Sequence, residues 1–259
     1  MPEDKSPQEI PDAGPNADLV PLTVDDLLEV SKKFEEDGGE IFYDMARGLV
    51  RDHEIEACVL LLATWNRMRF GLAGDSDVRK LKDALRELEN DFAALAEYTI
   101  QTIDLAEHRP RIERMFNKLK PITGVENTGA TKVMHLKNPE LFVMWDDYIR
   151  GGKDEEFYKN LPCVSSRQWS FHPYEKSGNG YVSFLSHIQN RVRGLAWHGP
   201  KTLAKAIDEF NYVKVTVPIR AREDEIEAEK KKEEAEIRAE VKRIRKERKK
   251  AAKVAADRK

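Results

Sequence analysis

Cysteine is nearly absent from these 259 residues: there are two, Cys58 and Cys163. Two isolated cysteines make neither a disulfide framework nor the paired spacing of a zinc site. That points to a reducing cytoplasm, with Cys58, in an apolar run, as an inert core residue. Long apolar runs are also missing, so no segment is expected to span a bilayer and no membrane partner is expected. The first residues, MPEDKSPQEIPDAGPNADLVP, lack the basic-then-apolar pattern of a secretory signal. They are acidic and proline-rich, and residues 1–21 read as a disordered segment. No internal repeat is visible. No metal or cofactor is called for by any spacing.

What is present is enough apolar residue, 40%, for a sizeable core, and a high charged fraction of 35%. The net charge of −3 hides an asymmetry. Residues 241–259 hold ten Lys/Arg against two acids, a net of +8, which leaves −11 for the rest. Residues 22–220 read as a helical body and 221–259 as a charged tail. The tail is almost wholly Ala, Glu, Lys and Arg. Its Ile226, Ile237, Val241 and Ile244 are too sparse for a heptad seam, so it reads as a solvated helix that serves either as a solubilising tail or as a sequence-blind DNA tether. The protein is expected to be a monomer.

The body reads as all-α. Val24 to Glu36 is a first helix capped by Thr23, with Asp26 where a capping box prefers Glu or Gln. Ile41 to Val50 follows. The helix opened by His53-Glu54 is apolar all round from Ala57 to Ala63, which marks a central helix. It ends in Trp65-Asn66-Arg67-Met68-Arg69-Phe70. Val78 to Glu89 and Phe92 to Leu105 read as helices, and Pro110 as the start of the next, Arg111 to Leu119. Glu155 to Asn160 reads as a short helix. Cys163 to Gly180 reads as a long loop whose Trp169, Phe171, His172 and Tyr174 either stack on a base or anchor the loop. Tyr181 to Trp197 and Leu203 to Phe210 are amphipathic helices. Tyr212 to Val217 reads as extended, and Pro218 as the end of the body.

The chain turns on residues 121–150, PITGVENTGATKVMHLKNPELFVMWDDYIR. Gly124 and Gly129 bracket a polar loop whose backbone N–H groups suit a phosphate. A helical run from Ala130 to Leu136 stops at Asn138-Pro139. The apolar Leu141 to Trp145 then delivers Asp146 and Asp147, a way to place an acid at the edge of a dry cleft. Asp146 reads equally as an N-cap over Tyr148-Ile149.

This stretch resembles the helix-hairpin-helix DNA glycosylases, with its nearest local likeness to the 8-oxoguanine type. Thr131-Lys132-Val133 is similar to the Thr-Lys-Val after that family's hairpin. Trp145-Asp146-Asp147-Tyr148-Ile149 is similar to its Val-Asp-Thr-His-Val. The family's two hairpin glycines fall here on Thr128 and Ala130, with Gly129 between them, and its following Arg is displaced to Arg150.

The resemblance implies an enzyme that binds double-stranded DNA without a cofactor, flips a damaged or modified base and cleaves its N-glycosidic bond. The base is a repair lesion or a phage-type modified cytosine such as glucosylated hydroxymethylcytosine. Asp146 is the implied catalytic carboxylate and Lys132 the implied amine of a lyase step. Lys132 also reads as a phosphate contact or a plain solvent lysine. Implied DNA contacts are Gly124, Gly129, Thr131, Asn66, Arg67, Arg69 and Arg150, with Asn66 or Arg67 filling the space left by the flipped base. Trp65, His135, Trp145, Tyr148 and Trp169 are the implied base pocket. Such an enzyme needs a basic face, for which Arg67, Arg69, Lys118, Lys120, Lys132, Lys137 and Arg150 are available. The competing readings are a non-catalytic hairpin module and a helical scaffold.

Overall fold

The computed structural model describes residues 21–36, 40–152 and 174–256. Among them every regular element is helical and no strand occurs. The all-α expectation holds. The terminal segment 1–20, the short helix at 155–160 and the aromatic residues of the loop from 163 to 173, Trp169 included, lie outside the described residues. No helix among the described residues is long and apolar enough to cross a membrane.

The chain divides into one unit through Thr216 and a second from Val217. The first holds α1 (Val24–Glu36), α2 (Ile41–Leu49), α3 (Glu54–Trp65), α4 (Arg67–Phe70), α5 (Asp75–Leu95), α6 (Leu105–Leu119), α7 (Glu126–Lys137), α8 (Gly178–Arg191), α9 (Leu203–Asn211) and a π-helical turn, Tyr212–Thr216. The second is one long helix, α10 (Val217–Ala256). Within the first unit α6 packs along α8, α2 along α3, and α1 along α9.

Several boundaries differ from the sequence reading, each for a local reason. The capping box of α1 forms even with Asp26: its N–H donates to Thr23 Oγ1 at 3.1 Å, and the Thr23 N–H donates to Asp26 Oδ2 at 3.2 Å. The expected Phe92–Leu105 helix does not exist. The helix begun at Asp75 runs through Phe92 and stops at Leu95. Thr99 and Thr102 then form a side-chain-bonded turn. Asp104 caps α6 by accepting from the Ala106 and Glu107 N–H groups. Pro110 therefore sits inside α6 rather than at its start, carried by a face that buries Ile112, Met115, Phe116 and Leu119.

Tyr212 to Thr216 is π-helical, not extended. Its β-branched residues favour a strand, but no strand is there to pair with, so its backbone groups bond along the chain. The helix expected over 181–197 runs from Gly178 to Arg191. Pro218 does stand at the end of the body: the first unit stops at Thr216, and Pro218 lies in the first turn of α10, where proline is tolerated.

α6 and α7 are joined by a tight turn, the hairpin of residues 120–125. Ile122 turns the chain by accepting from the Val125 and Glu126 N–H groups at 3.0 and 3.1 Å. Gly124 takes φ +84°. A Cβ there would lie 2.8 Å from Ala73 Cβ and 3.1 Å from Phe70 Cα, so both backbone conformation and space require glycine. Gly124→Ala should lower stability by about 1–3 kcal/mol, read as a lower urea midpoint at unchanged m-value. An unchanged midpoint would show that the hairpin is not closed as described.

Candidate functional site

The hairpin ends earlier than the glycine spacing suggests. α7 begins at Glu126, so Gly129 is a helical residue, not a loop one. A Cβ on Gly129 would meet Leu62 Cδ2 at 2.9 Å and Asn66 Nδ2 at 3.1 Å; it is where α7 presses against α3. Asn66 is buried and donates to the carbonyls of Gly124 and Val125 at 2.8 and 3.3 Å. It braces the hairpin from inside and is not placed to contact DNA, because the turn leaves those two carbonyls in need of a donor. Glu126, at φ +50°, holds a left-handed conformation that costs an ordinary residue about 1–2 kcal/mol. It pairs with Arg69 at 3.5 Å.

From α7 the chain turns at Asn138, whose carbonyl accepts from the Leu141 and Phe142 N–H groups at 3.3 and 3.1 Å, and then runs without regular structure to Trp145, every residue of Leu141–Trp145 buried. Side chains satisfy other backbone groups of the segment. His135 Nδ1 donates to Phe142 O at 2.5 Å, Tyr181 Oη donates to Val143 O at 2.8 Å, and the Trp145 N–H donates to Thr131 Oγ1 at 3.3 Å. Thr131 thus ties α7 to this segment and is fully buried, away from any DNA face. Trp145 is 1% exposed and packs against Phe116, Tyr181 and Phe184. His135 is 0% exposed. Neither lines an open base pocket, because each is consumed in supporting the segment.

The segment delivers Asp146, which is partly buried. Its Oδ1 accepts from the Tyr148 and Ile149 N–H groups at 2.9 and 2.8 Å, and its Oδ2 from Thr216 Oγ1 at 2.7 Å. The N-cap reading of Asp146 is therefore present in the structure, with a third donor arriving from the π-helical turn. Asp147 pairs with Arg150 and Lys176 at 2.8 and 3.3 Å. Burial would raise its pKa, but these two cations more than offset that and hold it below the usual carboxylate value. Arg150 is buried and also donates to Tyr174 O at 3.2 Å.

Lys132 is buried on α7 and its Nζ donates to the carbonyl of Trp65, the last residue of α3. The Trp65 ring stacks on Tyr43 at 5.5 Å and meets Phe34 edge-on at 6.3 Å. Over these three rings sits a second lysine that the sequence reading did not single out. Lys205 Nζ lies 4.8, 4.9 and 4.6 Å from the centroids of Trp65, Tyr43 and Phe34. It pairs with Glu209 at 3.0 Å and Asp208 at 3.3 Å, and is 1% exposed. Glu209 also accepts from Ser31 Oγ at 2.5 Å and from Lys201. Lys201 in turn pairs with Glu35 and Glu40.

The chemistry of this centre follows from its burial. Asp208 is pushed up to about 6 because desolvation outweighs the attraction of Lys205 and, farther off, Lys132. His135 is pushed down to about 3 by burial. It is therefore neutral, and with Nδ1 donating to a carbonyl its Nε2 accepts from Tyr43 Oη at 2.8 Å. Cys58, also buried, is pushed up to about 12 and is inert as a nucleophile. One turn beyond Asp208, the amide of Asn211 is fully buried with neither of its polar atoms hydrogen-bonded. Among the described residues no group of three His, Cys, Asp or Glu is arranged to hold a metal ion.

The expected basic face is mostly neutralised. Lys118 pairs with Glu87, Lys137 with Glu54, Arg69 with Glu126 and Arg150 with Asp147. Lys120 donates to Lys176 O. An acidic body supplies a carboxylate to four of the seven candidate cations. The Arg67 side chain lies outside the described residues.

The comparisons add no relative. No protein-family model matches the chain, and no curated protein or solved structure shows significant similarity to it. Its function is argued from these residues alone.

The centre has a pH signature. Between about pH 4 and 6 the folded protein keeps a proton on Asp208 that the unfolded chain releases, so this residue makes stability fall as pH rises. His135 acts oppositely. The unfolded chain takes up a proton below about pH 6.5 that the folded state refuses until about 3, so stability falls as pH drops. Asp208→Asn removes the first effect and leaves the second. Between about pH 6 and 4 the variant should lose stability more steeply than the parent, by up to about 1.4 kcal/mol per pH unit. Parallel denaturation profiles across that range would show that Asp208 keeps an ordinary pKa.

Proposed function

We propose that the protein is a DNA N-glycosylase that extrudes and removes a damaged or modified base, with duplex DNA in the cytoplasm as its partner. One observation carries the reading. The α6–hairpin–α7 unit leads, through a buried irregular segment, to Asp146, held in place by two backbone N–H groups and Thr216. This is the order in which a phosphate-binding hairpin and a catalytic carboxylate occur in the helix-hairpin-helix glycosylases that the sequence resembles.

In this reading the Asp146 carboxylate faces the anomeric carbon and stabilises the oxocarbenium-like charge that grows as the glycosidic bond breaks. Water attacks C1′, the base departs with the bonding pair and takes up a proton, and an abasic site remains. Alternatively the Lys132 amine attacks and a Schiff base forms. Lys132 must first lose its proton. The Asp208 carboxylate lies within electrostatic reach of it. The substrate is a repair lesion or a phage-type modified cytosine, glucosylated hydroxymethylcytosine among them.

A second reading is favoured by one fact: both implied catalytic side chains are already engaged, Asp146 by three donors and Lys132 by the Trp65 carbonyl. That suits a hairpin module that binds nucleic acid without chemistry.

Asp146→Asn separates the two. Asn caps a helix about as well as Asp, so the variant should fold and bind DNA. Excision should fall by at least about a hundredfold, as when one electrostatic stabiliser of a transition state is removed. The assay uses duplexes carrying 8-oxoguanine, uracil, hypoxanthine, alkylated bases or modified cytosines, with abasic sites as the readout. Wild-type protein that binds all of them and excises none would replace the enzyme by the binding module.

A further inference from the structure

α10 carries an apolar stripe that nothing within its own unit covers. Ile237, Val241 and Ile244 are 56, 41 and 39% exposed. Their spacing of four and three residues puts them on one face, about two turns long. The rest of the helix is charged and divided. Residues 223–240 hold nine acids against four bases, a net of −5, and residues 241–256 hold eight bases against one acid, a net of +7. The sign changes between Glu240 and Val241. That is also the midpoint between Ile237 and Ile244.

We infer that α10 is a self-association element that pairs two copies of this chain antiparallel, about a two-fold axis at residues 240–241. In that register Ile237 of one copy meets Ile244 of the other at both ends of the stripe. The acidic half of each helix lies along the basic half of its partner. A two-fold axis across the helix makes the same patch serve both copies, as an isologous interface requires. A parallel pair would set −5 against −5 and +7 against +7, so charge alone selects the orientation.

Intrahelical pairs such as Lys231–Glu227, Arg238–Glu234 and Arg243–Glu240 keep the helix formed before association. Three aliphatic side chains per copy bury little surface, so the association is weak and driven by charge. In this proposal the chain pairs where the sequence reading expects a monomer.

The test uses the full chain. Sedimentation should show a concentration-dependent dimer whose dissociation constant weakens about tenfold or more between about 0.05 and 0.5 M salt, as screening shortens the range of the attraction. Orientation is read separately. Ile237→Cys and Ile244→Cys variants, each on a Cys163→Ser background, are mixed and oxidised. The disulfide should form mainly between the two different variants. Self-linked dimers of each variant alone would overturn the antiparallel register. A monomer at every concentration and salt would overturn the association itself. So would a monomer whose basic half instead binds duplex DNA, seen as loss of DNA affinity on deleting residues 241–259.

Discussion

The buried Lys205–Glu209 pair is the constraint on which the first unit depends. An ammonium enclosed by three aromatic rings and a carboxylate with no exposure at all are expensive to place in a protein interior. They persist because each is fully partnered. Glu209 is met by Ser31 of α1, Lys201 and Lys205; Lys205 is met by Glu209, Asp208 and the rings of Phe34, Tyr43 and Trp65. The network therefore fixes α1, α2, α3 and α9 against one another. Losing one partner would strand a charge in low dielectric, a change that typically costs about 3–5 kcal/mol.

The irregular segment before Asp146 depends on that arrangement. It belongs to no helix, so it borrows hydrogen bonds from Thr131 and His135 on α7 and Tyr181 on α8. His135 is oriented by Tyr43, whose ring also faces Lys205. A chain of contacts thus runs from the buried lysine through Tyr43 and His135 to the backbone that positions Asp146. Asn66 does the corresponding work for the hairpin by holding the Gly124 carbonyl. The side chains around Asp146 are mainly supports, buried residues that hold the backbone on which its carboxylate is placed.

Local signals in the sequence were readable where the physics is local. Thr23 with Asp26, the apolar α3, the stop at Asn138-Pro139 and the N-cap geometry of Asp146 all rest on neighbours within a few residues. What was not readable depends on distant packing. Lys205, Asp208 and Glu209 lie in LAKAIDEF, which by periodicity is an ordinary amphipathic helix with a solvated charged face. Burial of that face becomes visible only once Phe34, Tyr43 and Trp65 converge on it. His135 and Trp145 were misplaced for the same reason: an aromatic residue beside a motif looks like pocket until the elements that cover it are known. The basic face failed because pairing partners such as Glu54 and Glu87 are remote in sequence.

The central claim is geometric: the hairpin holds a DNA phosphate while Asp146 faces the sugar of an extruded nucleotide. The most direct measurement is the structure of the full chain bound to duplex DNA carrying a cationic pyrrolidine abasic-site mimic. The account predicts a backbone phosphate on the turn at residues 121–125 and the mimic's ring nitrogen in contact with the Asp146 carboxylate. DNA bound with the hairpin free, or with Asp146 remote from the mimic and still engaged only by Tyr148, Ile149 and Thr216, would contradict it.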